Sequence, residues 1–156
     1  MIYGIISDIH ANLEALNTSL EFLKFVDRII CLGDIVGYGP YPNECIEKLA
    51  SLDNLICLKG NHDHRTYLHY HNPNLEEDPA EYGHYNPAEL FGWKRKDLKK
   101  ENMGFLESLP YRLFVDGMLL SHGSPIIPTD FYYVDDRQER KYEVGLIDGV
   151  LELEEP

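Results

Sequence analysis

The sequence predicts an α/β fold assembled from parallel βαβ units with flanking helices. Three observations carry that expectation. Short apolar runs recur at Ile2–Ile6, Arg28–Leu32 and Asn54–Leu58, apolar residues at helical spacing lie between them, and each run stops in a polar, glycine-bearing segment. Strands alternating with helices imply a parallel sheet with right-handed crossovers.

Each element can be justified in chain order. Ile2–Ile6 has the length and character of a buried strand, and the opening "MIYGIIS" lacks the basic and long apolar regions of a signal peptide. Leu13, Leu16, Leu20 and Leu23 recur at helical spacing, which predicts an amphipathic helix from Asn12 to about Val26. Arg28–Leu32 is the second strand. Asn43–Leu49 reads as a short helix with Pro42 near its start, where a missing N–H costs little. Asn54–Leu58 is the third strand. After Arg65 the periodicity fades, and His71–Pro87, acidic and carrying three prolines, reads as a long lid-like loop. Asn86, Pro87 and Glu89 supply an N-cap, a first-turn proline and a capping-box glutamate, predicting a helix through about Lys100. Asp116-Gly117 between apolar runs signals a hairpin, and Asp148-Gly149 repeats the signal within a tail hairpin spanning residues 142–156. No linker or low-complexity segment divides the chain, so residues 1–156 read as a single domain.

Composition limits the function. A chain of 156 residues can bury about 70% of its unfolded surface. No apolar run approaches the roughly 18–20 residues of a membrane span. Cys31, Cys45 and Cys57 each sit among apolar neighbours and read as reduced core thiols of a cytoplasmic protein. A formal net charge of −13 argues against stable nucleic-acid binding. It would also repel a phosphorylated substrate unless bound cations reversed the local field. Composition leaves an oligomer open.

Ligands of open α/β sheets gather beyond the carboxyl ends of the strands. The first strand is followed by Asp8 and His10, the second by Asp34, and the third by Asn61, His62 and Asp63. A later apolar run is followed by His122. The first three clusters are spaced by about one βα unit, which brings them to one sheet edge. Singly, each fragment is an ordinary cap or turn; jointly, they point to metal chemistry. Oxygen and imidazole donors without thiolate suit divalent ions such as Mn, Fe, Zn or Ni. A carboxylate shared by two such ions can hold them about 3.5–4 Å apart, the arrangement that serves phosphoryl hydrolysis.

Asp8-Ile9-His10, Gly33-Asp34 and Gly60-Asn61-His62-Asp63 resemble the first three motifs of the calcineurin-like metallophosphoesterases, and "LLSHGSP" resembles the fourth. The resemblance covers roughly residues 1–130 and implies a metallophosphoesterase-like sheet, shortened at its C-terminus. It implies that Asp8 and His10 bind a first divalent metal, that Asp34 bridges two, and that Asn61 and His122 bind the second. His62, steered by Asp63, would contact the phosphoryl oxygen or protonate the leaving group. The nucleophile would be a hydroxide held between the metals. The implied substrate is a phosphorylated small molecule, more in keeping with a phosphodiester or nucleotide-type ester than a phosphoprotein. The protein phosphatases of the superfamily carry Asp-Arg where this chain has Gly37-Tyr38, and Arg65 is a candidate replacement guanidinium. The family's Gly-His-x-His motif also has no counterpart, because no histidine follows His122. His64 is a candidate substitute ligand, and a weakly active or non-catalytic scaffold is the alternative reading.

Overall fold

The computed structural model describes residues 1–72 and 98–125. Three parallel strands, β1 (Tyr3–Ile6), β2 (Arg28–Cys31) and β3 (Leu55–Cys57), form a sheet whose spatial order equals their chain order. The register pairs Ile5 with Ile30 and Ile30 with Ile56. Helix α1 (Leu13–Phe22) joins β1 to β2, and α2 (Pro42–Ala50) joins β2 to β3. Because both crossovers step the same way across the sheet, both helices fall on one face, where they contact each other.

The helices follow from local chemistry. Asn12 caps α1 by accepting the Ala15 N–H at 3.0 Å. The helix ends at Phe22 rather than at about Val26, and the Leu23 N–H closes onto the carbonyls of Ser19 and Leu20. In α2, Pro42 fills a first-turn position and Cys45, Ile46 and Leu49 form the buried stripe.

Alternation along β2 divides the core. Cys31 points into a cluster with Leu16, Ile35, Val36, Ile46 and Leu49 on the helical face. Ile30 points the other way, against Leu58 and Leu120. Leu120 belongs to the predicted hairpin, β4 (Arg112–Val115) and β5 (Met118–Ser121), which forms a separate two-stranded antiparallel sheet. The parallel sheet is therefore covered by helices on one face and by this hairpin on the other. Full burial of a side chain such as Ile30 stabilises the fold by about 1.5–3 kcal/mol.

Two helices depart from expectation. The chain after β3 continues as α3 (Asn61–His71), whose buried residues are His62, Asp63, Thr66 and His69. An apolar pattern could not reveal it, because its inward face is polar. Of the helix expected from Asn86 to about Lys100, only its last residues lie within the described part. There Lys99 is an N-cap and Lys100 begins α4 (Lys100–Ser108), where the earlier helix was expected to end. Asn102, Met103 and Leu106 bury one face of α4, and the Asn102 amide donates to Asn43 Oδ1 at 2.8 Å, tying α4 to α2. Lys59 pins the junction between α4 and the hairpin. Its N–H donates to the Pro110 carbonyl, and its ammonium donates to the Glu107 carbonyl at 3.1 Å while lying over the rings of Tyr67 and Tyr111. The tail hairpin of residues 142–156 and most of the lid-like loop lie outside the described residues.

Candidate metal centre

The loops after β1 and β2 are stitched together beyond the ends of the strands. Asp8 N–H donates to Gly33 O at 3.1 Å, His10 N–H to Asp34 O at 2.9 Å, and Ala11 N–H to Ile35 O at 2.8 Å. These bonds hold Asp8, His10 and Asp34 at φ values of 56°, 48° and 55°, in the left-handed region that side chains seldom adopt. Such strain persists only where the surroundings over-determine it, and it clusters at functional sites.

The third loop closes against the second. Gly60 lies so near Asp34 that a Cβ there would run into its carboxylate and backbone N. The His62 N–H donates to Asp34 Oδ1 at 2.8 Å. Asp63 is fully buried and accepts from the N–H groups of Ile35, Val36 and Gly60 at 3.0–3.1 Å. Burial pushes its carboxyl up to about 7, reinforced by the charge of Asp34 and opposed by the backbone donors. Asp63 thus acts on the backbone that carries both Asp34 and the start of α3. His122 reaches the same place from the other sheet, directly after β5.

Two sets of donor atoms result, each within 4.8 Å of one another: His10, Asp34 and His62, and Asp8, Asp34 and His122. Asp34, 2% exposed, belongs to both. Its carboxylate and that of Asp8 each lie 3.8 Å from His10 Nε2, while His122 Nε2 is 3.5 Å from Asp34 and 3.0 Å from Asn61 Oδ1. Burial alone would raise the Asp34 pKa, but the hydrogen bond and charge of His122 bring it below the ordinary carboxylate value.

The imidazoles are oriented by main chain. His10 Nδ1 lies 3.2 Å from Val36 O, and His122 Nδ1 lies 3.2 Å from Leu32 O. A carbonyl can only accept, so Nδ1 carries a hydrogen and each Nε2 faces Asp34. Each Nε2 donates to that carboxylate when its ring is protonated and is free to offer a lone pair to a metal when it is neutral. That is the outer support by which metal-binding histidines are aimed. Two donors about 2.1 Å from a common ion stand roughly 3.0–3.5 Å apart at angles near 90–110°, which the spacings around His122 match. The donor set therefore fits divalent metal ions.

All seven residues singled out from the sequence meet at this edge. His64 belongs to neither donor set among the described residues, and its Nδ1 lies 2.8 Å from the Tyr111 hydroxyl. Pattern reading missed the carbonyls of Leu32 and Val36, and also the contacts of Tyr38, whose ring centroid is 4.6 Å from that of His10 and 5.0 Å from that of His62. No sequence signal marks such carbonyls; the Gly37-Tyr38-Gly39 run was the available hint of a close aromatic approach.

This fold and donor set define an α/β domain of metallophosphoesterase type. Residues 1–152 match the family model described as calcineurin-like phosphoesterase, and the chain belongs to that family. An uncharacterised protein of Methanocaldococcus jannaschii is 39% identical over 137 residues, spanning 84% of this chain and 53% of that protein. The crystal structure of a metallophosphoesterase from Sphaerobacter thermophilus aligns with 40% identity and a TM-score of 0.66, covering 85% of this chain and 51% of its own. A symmetrical bis(5'-nucleosyl)-tetraphosphatase of Pseudomonas entomophila is 37% identical over 71 residues, 43% of this chain and 25% of that enzyme. The chain thus spans about half the length of the first two relatives and less of the third. Among the described residues, no helix is long and apolar enough to cross a membrane.

Proposed function

We propose that the chain carries the metal-dependent hydrolytic centre of a phosphoesterase acting on a phosphodiester or nucleotide-type ester. The observation that carries this reading is Asp34, a buried carboxylate shared by two clusters of candidate donors, beside which backbone carbonyls aim the His10 and His122 imidazoles. Asp8 and His10 would hold one divalent ion, Asn61 and His122 the other, and Asp34 both; Mn, Fe, Zn and Ni all suit these donors. When bound, such ions polarise a phosphoryl oxygen and lower the pKa of water. Asp8 and Asp34 supply the negative charge that retains cations beside an incoming phosphate. Burial lowers the His62 pKa below its ordinary value, leaving a neutral imidazole whose N–H can donate to a phosphoryl or leaving-group oxygen. Asp63 keeps His62 in place through the backbone of its loop. The kinship with a nucleosyl tetraphosphatase supports nucleotide-type substrates, and three unpaired thiols support a cytoplasmic location.

The test measures bound metal by elemental analysis and hydrolysis of bis(p-nitrophenyl) phosphate on the same Mn²⁺-loaded sample. We expect at least one equivalent of metal, with p-nitrophenolate release that Asp34→Asn abolishes. Metal without hydrolysis would favour a binding scaffold, and hydrolysis that survives Asp34→Asn would overturn the assignment.

A further inference from the structure

Resting on the phosphoesterase reading above, we propose that Tyr38 is the platform on which this site stacks a nucleobase or similar aromatic group of its phosphoester. Tyr38 stands beside the metal donors, yet 49% of its surface is open to solvent. With His10 and His62 it makes a triangle of rings, centroids 4.6–5.0 Å apart.

The backbone fixes that position from both sides. Gly37 has φ +134° and lies against the imidazoles, where a Cβ would come within 2.8 Å of His10 Nδ1 and 3.0 Å of His62 Nδ1. Only glycine can pass there. On the other side, the Gly39 N–H donates to the His10 carbonyl at 2.8 Å. Tyr38 is therefore carried on a short bridge clamped to the same histidine that faces Asp34.

A tyrosine at this point brings no charge to a phosphate. It offers an apolar ring, held in place before any ligand arrives, and a π-face accepts any base. The group it suits is an aromatic substituent next to the reacting phosphoryl, as in a nucleoside phosphate or its ester.

Two chromogenic diesters with the same leaving group isolate this contact: thymidine 5'-(p-nitrophenyl phosphate) and methyl p-nitrophenyl phosphate. Water cleaves either one to p-nitrophenol and the remaining monoester, so their kcat/KM ratio reports only the retained group. With Mn²⁺-loaded protein we expect roughly a tenfold preference for the thymidine ester, within the usual range for base–aromatic stacking. Tyr38→Ala should bring the ratio near one, and Tyr38→Phe should keep it. Calorimetry of adenosine 5'-monophosphate against ribose 5-phosphate supplies a readout without turnover, with the same preference and the same dependence on the ring. Hydrolysis of both esters with no preference, or a preference that survives Tyr38→Ala, would overturn this proposal and leave the phosphoesterase reading standing. Ring-dependent nucleotide binding without hydrolysis would do the reverse. Absence of both would sink the two together.

Discussion

His122 Nε2 and Asn61 Oδ1 face each other at 3.0 Å, although 61 positions separate them in the chain. With the His122 Nδ1 hydrogen directed to the Leu32 carbonyl, both facing atoms are acceptors whenever the ring is neutral. Two acceptors at this distance repel unless a proton or a metal ion stands with them. We therefore expect Asn61→Ala to leave the chelator-treated protein at least as stable as the parent at alkaline pH, where the ring is neutral, while weakening Mn²⁺ binding. The loss should reach at least about tenfold, the lower range even for outer partners of a ligand. Unchanged affinity in a metal titration would remove Asn61 from the donor set.

The same pair sets a pH dependence. Burial works to lower the His122 pKa, but the hydrogen bond to Asp34 and its charge raise it above the ordinary value. A histidine whose folded pKa exceeds its unfolded one contributes stability that is fully present below about pH 6.5 and lost as pH rises through the folded value. Metal requires the neutral ring, so Mn²⁺ affinity should increase over the same window. Melting curves from pH 5.5 to 8.5 in chelator should show the decline, and His122→Gln should flatten it. A slope untouched by that substitution would assign it to other groups.

His62 lies within reach of both His10 and Asp34, so its assignment to the substrate can be separated from a ligand role. If hydrolysis is detected, His62→Ala should lower kcat by roughly 10²–10⁴-fold, the scale of lost acid–base assistance. Bound metal should stay unchanged. Loss of metal by elemental analysis would make His62 a ligand instead.

Gly60→Ala tests the close approach of the second and third loops. A Cβ at this position meets both the carboxylate and the backbone N of Asp34. Such overpacking should cost about 1–3 kcal/mol and displace the shared carboxylate. The expected result is a lower Tm together with weakened metal binding. Parent-like values of both would show that the loops part freely.

Much of this was legible in residues near one another in the chain. The three strands could be read because each is a short apolar run ending in glycine and polar groups. The hairpin was legible because Asp116-Gly117 favours a tight reversal, and the two residues indeed have φ 51° and 79°. Helix α3 was not, because it buries His62, Asp63, Thr66 and His69, a face whose polarity serves the site and hides the helical period. Helix α4 was obscured by Gly104 and by a buried Asn102 whose amide donates to Asn43 and Glu47 of α2.

By itself, the sequence determined that carboxylates, an amide and imidazoles follow successive strands, since spacing along a βα unit is a local property. The motif resemblance already implied a shared Asp34, whereas tertiary structure alone decided that His122 arrives from a second sheet and that the carbonyls of Val36 and Leu32 aim the imidazoles of His10 and His122. Tertiary structure alone also set the Tyr38 ring beside His10 and His62. These are contacts between segments remote in sequence, in part through backbone atoms that every residue possesses. No residue pattern encodes them until the loops close on one another.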